Sequence, residues 1–229
     1  MKTYRKTAMA VGLLYAAGTV AGILSLLFTK EIFASSDFLG RIAANPAPLR
    51  AGAFCVLVMA LSLAAMPVFL YPLFKREDPA LAMGMVVFRG PLEACVYMAT
   101  VLSWLLLAAF AEHGAAFGAE AASASAAVWL LRMTVDIAAP MNSIVFCVGA
   151  AFVYILFFRT RLLPRWLTAW GIGGTALYLL VYLVKFFDLP PNLDPLVLPL
   201  AVQEMAMALR LIFKGFDRPA LEALLARGN

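Results

Sequence analysis

The chain has few charged residues for its length. Asp, Glu, Lys and Arg make up 14% of its 229 residues, against about 25% in a typical soluble domain. Hydrophobic residues account for 64% of the sequence, and the mean hydropathy is +0.92. This composition excludes an ordinary soluble domain. It predicts a polytopic membrane protein that forms one integral membrane domain over residues 1–229.

Cysteine and histidine are scarce, which narrows the chemistry open to the protein. Cys55, Cys95 and Cys147 lie in three separate apolar segments, and no Cys-x-x-Cys pair occurs. This spacing argues against a disulfide framework and against a thiolate metal site. The single histidine, His113, lies just past the end of an apolar run. We therefore predict no metal site, and the sequence leaves any cofactor unknown.

The common catalytic motifs are also missing. The sequence has no Gly-x-Ser-x-Gly elbow, no His-Glu-x-x-His zinc helix and no phosphate-binding loop. Whether the chain is an enzyme stays open, because paired carboxylates inside a membrane can still perform acid–base chemistry or hold a metal. The net charge of +5 comes from basic residues in short loops. That pattern reports membrane topology, so we predict no nucleic-acid partner.

Six apolar runs are long enough to cross a bilayer, which takes about 20 residues each. They predict an all-α bundle with six transmembrane helices at about residues 8–28, 49–74, 81–111, 126–158, 166–187 and 195–213. The first run is too long for a signal-peptide core, so we expect an uncleaved helix. A short interfacial helix is expected at residues 37–44, capped by Ser36. Residues 214–229 are expected to form a short amphipathic tail.

Basic residues in the loops predict the orientation of the bundle. With the N-terminus inside, eleven Lys and Arg residues fall in the inner segments, and four fall in the outer segments. The outer four are Lys30, Arg41, Arg50 and Lys185. Cytoplasmic segments of membrane proteins carry an excess of Lys and Arg. We therefore expect both termini to lie in the cytoplasm.

The most informative segment is residues 88–97, in the third apolar run. It contains Arg89 and Glu93, and ionisable groups inside a membrane mark a functional site or an obligatory structural pair. Arg89, Glu93 and Tyr97 are spaced four residues apart, so they share one face of a helix. Pro91 removes one helical hydrogen bond between the two charges, so we expect a kink. A purely structural ion pair between Arg89 and Glu93 is the alternative.

The fourth run carries a second polar group. Asp136 follows Arg132 by four residues, and Pro140, Asn142 and Ser143 follow Asp136. An acid, a carbonyl freed by a proline and a polar side chain within two turns are what a cation or proton site in a bundle uses. For Arg132 the alternative is a side chain that extends to the membrane surface.

The sixth run contains Gln203, Glu204 and Arg210. Spans three, four and six thus each carry one acid and one arginine, and exposing all of these to lipid would be costly. We therefore expect the three spans to share a polar core, in which Arg89 and Arg210 pair across helices with Glu204 or Glu93. The predicted ligand- or ion-binding residues are Arg89, Glu93, Tyr97, Asp136, Asn142, Gln203, Glu204 and Arg210.

Both ends of the chain resemble a known family. The segments that carry the likeness are RKTA, GLLY and GTVAGILS at residues 5–8, 12–15 and 18–25, the Arg89…Glu93 segment, and QE and LIFKGF at residues 203–204 and 211–216. They are similar to bacterial membrane proteins grouped as domain of unknown function 4386. The resemblance implies a six-helix protein of the bacterial inner membrane and lends no activity. It includes Glu204, which supports a role for that residue beyond packing.

Three classes of function fit these patterns. The first is a small-molecule or ion carrier, a channel or a ligand-binding sensor that couples to a proton or cation through Glu93, Asp136 or Glu204, or uses its arginines to bind an anionic group. The second is a scaffold or assembly subunit with structural ion pairs, and the third is an intramembrane enzyme. The lipid bilayer is the expected partner, and six helices are few for a lone transporter, so a homodimer fits the first class. A cavity that reaches the acids would favour that class, whereas dry and fully paired charges would favour the scaffold.

Overall fold

Long apolar runs become helices in the structure, a computed structural model that describes residues 2–113, 121–190 and 193–227. Within these ranges the side chains of residues 2, 113, 121–127 and 134–136 are not described. The described helices are α1 (Lys2–Phe33), α2 (Phe38–Ala44), α3 (Ala47–Phe74), α4 (Pro79–Val87), α5 (Glu93–His113), α6 (Ala121–Thr160), α7 (Arg165–Phe186), α8 (Leu198–Phe213) and α9 (Arg218–Ala226). A π-helical turn, Phe88–Leu92, joins α4 to α5, and a 3-10 turn, Asp194–Val197, precedes α8.

Six segments of the described chain are long and apolar enough to span a membrane. They are Thr3–Phe33, Ala47–Phe74, Pro79–Glu112, Val128–Thr160, Arg165–Phe186 and Asp194–Phe213. A helix satisfies all of its backbone hydrogen bonds internally, which the hydrocarbon core of a bilayer requires. The predicted all-α bundle with six spans is therefore confirmed, while the orientation of its termini stays a prediction.

The spans pack in a ring that follows chain order. Helix α1 contacts α3, α3 contacts α4 and α5, α5 contacts α6, α6 contacts α7, α7 contacts α8, and α8 returns to α1. Glycines permit close helix approach in membranes. A side chain on Gly12 would lie 2.8 Å from the carbonyl oxygen of Ala208 on α8, and one on Gly174 would lie 3.2 Å from the Cα of Leu200. These glycines therefore bring α1 and α7 against α8.

Two apolar clusters fill the interior of the ring and leave a polar layer between them. One cluster includes Met85 of α4 together with residues of α1, α3, α6, α7, α8 and α9. The other includes Val101 of α5 together with residues of α1, α2, α3 and α6. Arg89 and Glu93 lie between Met85 and Val101 along the third span. The charged pair is consequently held in the middle of the bundle, away from both ends.

The end of the bundle that carries the N-terminus is tied together by Arg5. Its guanidinium donates to the carbonyl oxygens of Leu211, Ile212 and Phe213, at 3.1, 2.7 and 2.9 Å. These are the last carbonyls of α8, which have no partners within the helix. A cation at a helix C-terminus also interacts favourably with the helix dipole. Arg5 therefore fixes the start of α1 to the end of α8.

Ion pairs join the remaining segments at this same end. Arg227, just past α9, pairs with Glu77, and Arg159 of α6 pairs with Asp78 at 3.0 Å. Asp78 also caps α4, and the donated N–H of Leu81, together with Arg159, holds the pKa of the Asp78 carboxyl below its usual value. The tail helix thus packs on the segments that the count of basic residues assigns to the inner side.

The short connection after α1 differs slightly from the expectation. Helix α2 begins at Phe38, one residue later than predicted, and its cap is Asp37 rather than Ser36. The Asp37 carboxylate accepts the N–H of Gly40 at 3.0 Å. A carboxylate reaches the free N–H groups of a first helical turn as well as a serine hydroxyl does, so Asp37 takes the position that was expected of Ser36.

Candidate functional site

The candidate site begins where Pro91 interrupts the third span. Pro91 has no N–H to donate, and the chain responds with the widened π-turn Phe88–Leu92 before α5 begins at Glu93. Such turns inside helices are frequent at functional sites. The turn rests directly on α6, because a side chain on Gly149 would lie 2.9 Å from the backbone nitrogen of Arg89. The expected kink therefore takes the form of a widened turn.

Arg89 is buried and pairs with two acids. One terminal nitrogen, Nη1, donates to both carboxylate oxygens of Glu93, at 3.0 and 2.9 Å. The other, Nη2, donates to Oε1 of Glu204 at 3.4 Å. Only 1% of the side chains of Arg89 and Glu93 is exposed, against 13% for Glu204. A single guanidinium therefore links the third span to the sixth.

Two aromatic rings flank the guanidinium of Arg89. Its Cζ lies 4.4 Å from the ring centre of Phe146 on α6 and 5.7 Å from that of Tyr15 on α1. Both distances are within the range of a cation–π contact, which is stronger in a desolvated site. These rings hold the guanidinium plane in place, so Arg89 has little freedom to turn towards other partners.

Tyr97 extends the polar layer by one further turn of α5. Its hydroxyl faces the Glu93 carboxylate and the Asn142 side chain. Asn142 is buried, and its carbonyl oxygen Oδ1 has no hydrogen-bond partner among the described residues. Three residues predicted for the site, Glu93, Tyr97 and Asn142, are thus brought together across α5 and α6.

The cluster carries more negative than positive charge when its groups are ionised. Glu204 faces Arg89 and Glu93 as its charged neighbours. One guanidinium against two carboxylates leaves a formal charge of −1. An uncompensated charge inside an apolar bundle is strongly unfavourable. Glu204 is the less tightly paired of the two acids, because its contact with Arg89 is 3.4 Å long against 3.0 and 2.9 Å for Glu93.

A cavity of about 330 Å³ reaches this acid. Its polar lining includes Arg89, Tyr97, Ser143, Tyr178 and Glu204, and its other walls are small or apolar residues of α1, α3 and α8 together with Phe146 of α6. The volume is at the lower end of the range for small-molecule sites. Glu93 does not line the cavity. The cluster thus contains a buried ion pair, in which Arg89 borders the cavity and Glu93 does not, beside a second carboxylate that also borders the cavity.

Two predicted site residues lie on the sixth span but make other contacts. Gln203 is fully buried, donates to the carbonyl oxygen of Leu167 at 3.0 Å and accepts from the hydroxyl of Tyr154 at 2.7 Å. It therefore ties α8 to α6 and α7. Within the described residues Arg210 forms no ion pair with Glu93 or Glu204. Arg89 alone makes the pairs that were expected of both arginines.

The outer part of the fourth span is separate from this cluster. Arg132 donates to the carbonyl oxygen of Phe33 at 3.3 Å, and its guanidinium lies 4.6 Å from the ring centre of Phe33 and 5.6 Å from that of Phe38. Its guanidinium therefore lies beside the end of α1 and the start of α2. The side chain of Asp136 lies outside the described residues, so its proposed part in a site stays a prediction. Pro140 lies inside a helix that continues through it.

Apart from Tyr97, sequence reasoning did not select the aromatic residues of the site. Tyr15 and Phe146 contact Arg89, and Tyr178 lines the cavity. Two signals were available: Tyr15 shares a face of the first span with Gly12 and Gly22, and Tyr178 belongs to a helical stripe with Tyr182. An aromatic side chain in an apolar run otherwise resembles an ordinary packing residue, so composition did not distinguish these three.

A known family model covers most of the chain. Residues 10–215 match the family model described as domain of unknown function (DUF4386). The chain belongs to this family. The DUF4386 match includes Arg89, Glu93 and Glu204, and it confirms the resemblance seen at the two ends of the sequence. No curated protein and no solved structure matches the chain.

Proposed function

We propose that this DUF4386 protein binds a small molecule or an ion inside the membrane, at the carboxylate of Glu204, and works as a carrier or ligand-binding membrane protein. The observation that carries the proposal is the cavity of about 330 Å³ that reaches Glu204, an acid that shares Arg89 with a second acid. We also propose that the protein lies in a bacterial inner membrane and that both of its termini are in the cytoplasm. We further propose that the protein forms a homodimer, because six helices are few for a lone transporter.

Two parts of the cluster support different functions. The pair of Arg89 and Glu93 is buried, and one nitrogen of Arg89 donates to both carboxylate oxygens of Glu93, as expected of a structural pair in a scaffold. Glu204 is different, since its contact with Arg89 is longer, at 3.4 Å, and its side chain borders the cavity. We therefore assign Arg89 and Glu93 to the framework of the site and Glu204 to ligand binding. A pure scaffold would not need a cavity beside a surplus acid.

The test compares ligands carried by wild type and by Glu204→Gln. Both proteins are purified in mild detergent and recorded by native mass spectrometry, and their unfolding midpoints are measured with and without added cations. We expect a specific small molecule or ion on wild type that Glu204→Gln loses, because the amide removes the charge with little change of shape. Glu222→Gln is the matched control, since Glu222 is exposed on α9 and should leave binding unchanged.

The same experiment separates the alternatives. A wild-type protein that carries no specific species and responds to no cation, with both variants unfolding alike, would leave the scaffold as the better function. A bound lipid head group that is chemically altered during incubation would instead favour the intramembrane enzyme. A species retained by Glu204→Gln but lost from Glu93→Gln would move the binding group to the buried pair and contradict the assignment of Glu204.

A further inference from the structure

The cavity beside Glu204 is bordered by lipid-facing side chains. Ile23 and Leu26 of α1 line it while 54% and 65% of these residues remain exposed, and Ala201 of α8 lines it as another exposed residue. All three lie inside spanning segments. Surface that a spanning helix exposes sideways faces the hydrocarbon of the bilayer. The mouth of the cavity therefore lies between α1 and α8, at the side of the bundle.

The two helices that flank this mouth are held together at their other ends. Gly12 lies against the backbone of Ala208, where an added side chain would come within 2.8 Å of the carbonyl oxygen. Nearer the terminus, Arg5 donates to the carbonyl oxygens of Leu211, Ile212 and Phe213. Helices α1 and α8 are thus closed between the cavity and the N-terminal end. A ligand moving from Glu204 between these helices would emerge into lipid.

The polar end of the cavity has the chemistry of an ammonium site. The Glu204 carboxylate supplies negative charge, and Tyr97 and Tyr178 line the same space together with Arg89, whose positive charge is already paired with Glu93. An acid combined with aromatic faces is how proteins recognise organic cations. Calcium and magnesium instead take several oxygen ligands, and the described residues include no group of three or more His, Cys, Asp or Glu placed to hold a metal. The lining therefore favours an organic cation over a metal ion.

We propose that the ligand is an amphiphilic amine that enters from the bilayer between α1 and α8. Its ammonium group would bind Glu204 beside the tyrosine rings, and its alkyl part would lie along Leu63 of α3 and Ile23 and Leu26 of α1. The proposal rests on the proposed function, since it names the ligand class for the same carboxylate. It also gives a reason for the surplus acid, because a bound ammonium brings the formal charge of the cluster to zero.

The test uses three probes on protein reconstituted in nanodiscs of zwitterionic lipid. The probes are decylammonium, decyl sulfate as a membrane-partitioned anion, and methylammonium as a cation that stays in water. Binding is measured by native mass spectrometry after release from the discs. We expect decylammonium to bind wild type at least about tenfold more tightly than the other two probes, and Glu204→Gln to lose most of that preference. Glu204→Asp keeps the charge and should retain part of it.

A pair of neighbouring variants tests entry from the bilayer. Ala201→Phe places a ring at the mouth, whereas Val202→Phe adds a similar bulk at the next residue, which is 56% exposed and does not line the cavity. We expect Ala201→Phe to slow or weaken decylammonium binding about tenfold and Val202→Phe to have no effect. Unfolding midpoints of both variants show that the fold is intact, which lipid-facing positions should tolerate.

Each other outcome overturns a stated part of the inference. Equal binding of methylammonium and decylammonium, with no effect of Ala201→Phe, would overturn entry from the bilayer while leaving Glu204 as a cation site. Preference for decyl sulfate would overturn the ammonium assignment. If no amine binds but Glu204→Gln still loses another species, the proposed function stands and this inference falls. If no probe or natural species depends on Glu204, both fall.

Discussion

At the scale of single residues, the pairing of Arg89 determines how the site can be altered. Arg89→Met would leave Glu93 and Glu204 buried together without their cation. Removing one partner of a buried ion pair costs about 3–5 kcal/mol, whereas replacing the whole pair by apolar residues is often close to neutral. We therefore expect Arg89→Met to be strongly destabilised and Arg89→Met/Glu93→Leu to recover much of the loss. Unfolding followed by circular dichroism in detergent measures both.

The matched control for this series is Arg218→Met. Arg218 is exposed at the start of α9, so the same change there should alter the free energy of unfolding by less than about 0.5 kcal/mol. If Arg89→Met unfolded like Arg218→Met, the buried pair would contribute nothing to stability. If the double variant were no more stable than Arg89→Met, Arg89 would be needed mainly for Glu204 rather than for Glu93.

At the scale of elements, the contact between α6 and the π-turn is the feature most open to test. Gly149→Ala would place a methyl group 2.9 Å from the backbone nitrogen of Arg89, and backbone moves away less readily than a side chain. Overpacking of this kind costs about 1–3 kcal/mol. We expect Gly149→Ala to lower the unfolding midpoint and to displace Arg89 from its acids. The shift is measured by thermal unfolding in detergent.

Gly173→Ala is the comparison that isolates this contact. A side chain on Gly173 would meet nothing within 4 Å, so the change should bring only the higher helix propensity of alanine, worth up to about 1 kcal/mol. Gly149→Ala and Gly173→Ala should therefore move stability in opposite directions. Equal effects would mean that α6 does not pack tightly on the π-turn.

The helices themselves were predictable from sequence because an apolar run in a membrane has no other way to pair its backbone. The ends of the helices were harder to predict, because a helix can continue past its apolar part. Helix α6 begins at Ala121, before the predicted span at residues 126–158. Alanine favours helix wherever packing allows it. Prolines were harder still. Pro91 lies in a π-turn, whereas α6 continues as a helix through Pro140. The π-turn packs against Gly149 on another helix, and the sequence around Pro91 gives no sign of that contact.

Only those contacts of the site that lie within one helix could be predicted reliably from the sequence. Arg89 and Glu93 are four residues apart, so their pairing is local and can be read from spacing. The partner of Glu204 is not local, because depth in the membrane does not fix how a helix is rotated about its axis. The pairing of Arg89 with Glu204 across helices was expected and is present, whereas the matching pair of Arg210 with Glu93 is not found among the described residues. Such choices depend on how six helices pack together.

At the scale of the whole molecule, the distribution of charge makes the orientation of the bundle testable. Eleven basic residues lie in segments predicted to be inside, and four lie in those predicted to be outside. The structure brings the inner segments to one end, where Arg5 binds the end of α8 and Arg227 pairs with Glu77. A bundle inserted the other way would place this excess of Lys and Arg outside, against the usual bias.

Single cysteines report which side each end occupies. In a background with Cys55, Cys95 and Cys147 replaced by alanine, Thr3→Cys and Glu222→Cys mark the two terminal segments, and Ser36→Cys marks the connection before α2. All three positions are exposed, and none of the changes removes a basic residue. A thiol reagent that cannot cross the membrane should label Ser36→Cys on intact cells and the other two only after permeabilisation. Labelling in the opposite pattern would show that the bundle is inverted and would contradict the orientation predicted from the basic residues.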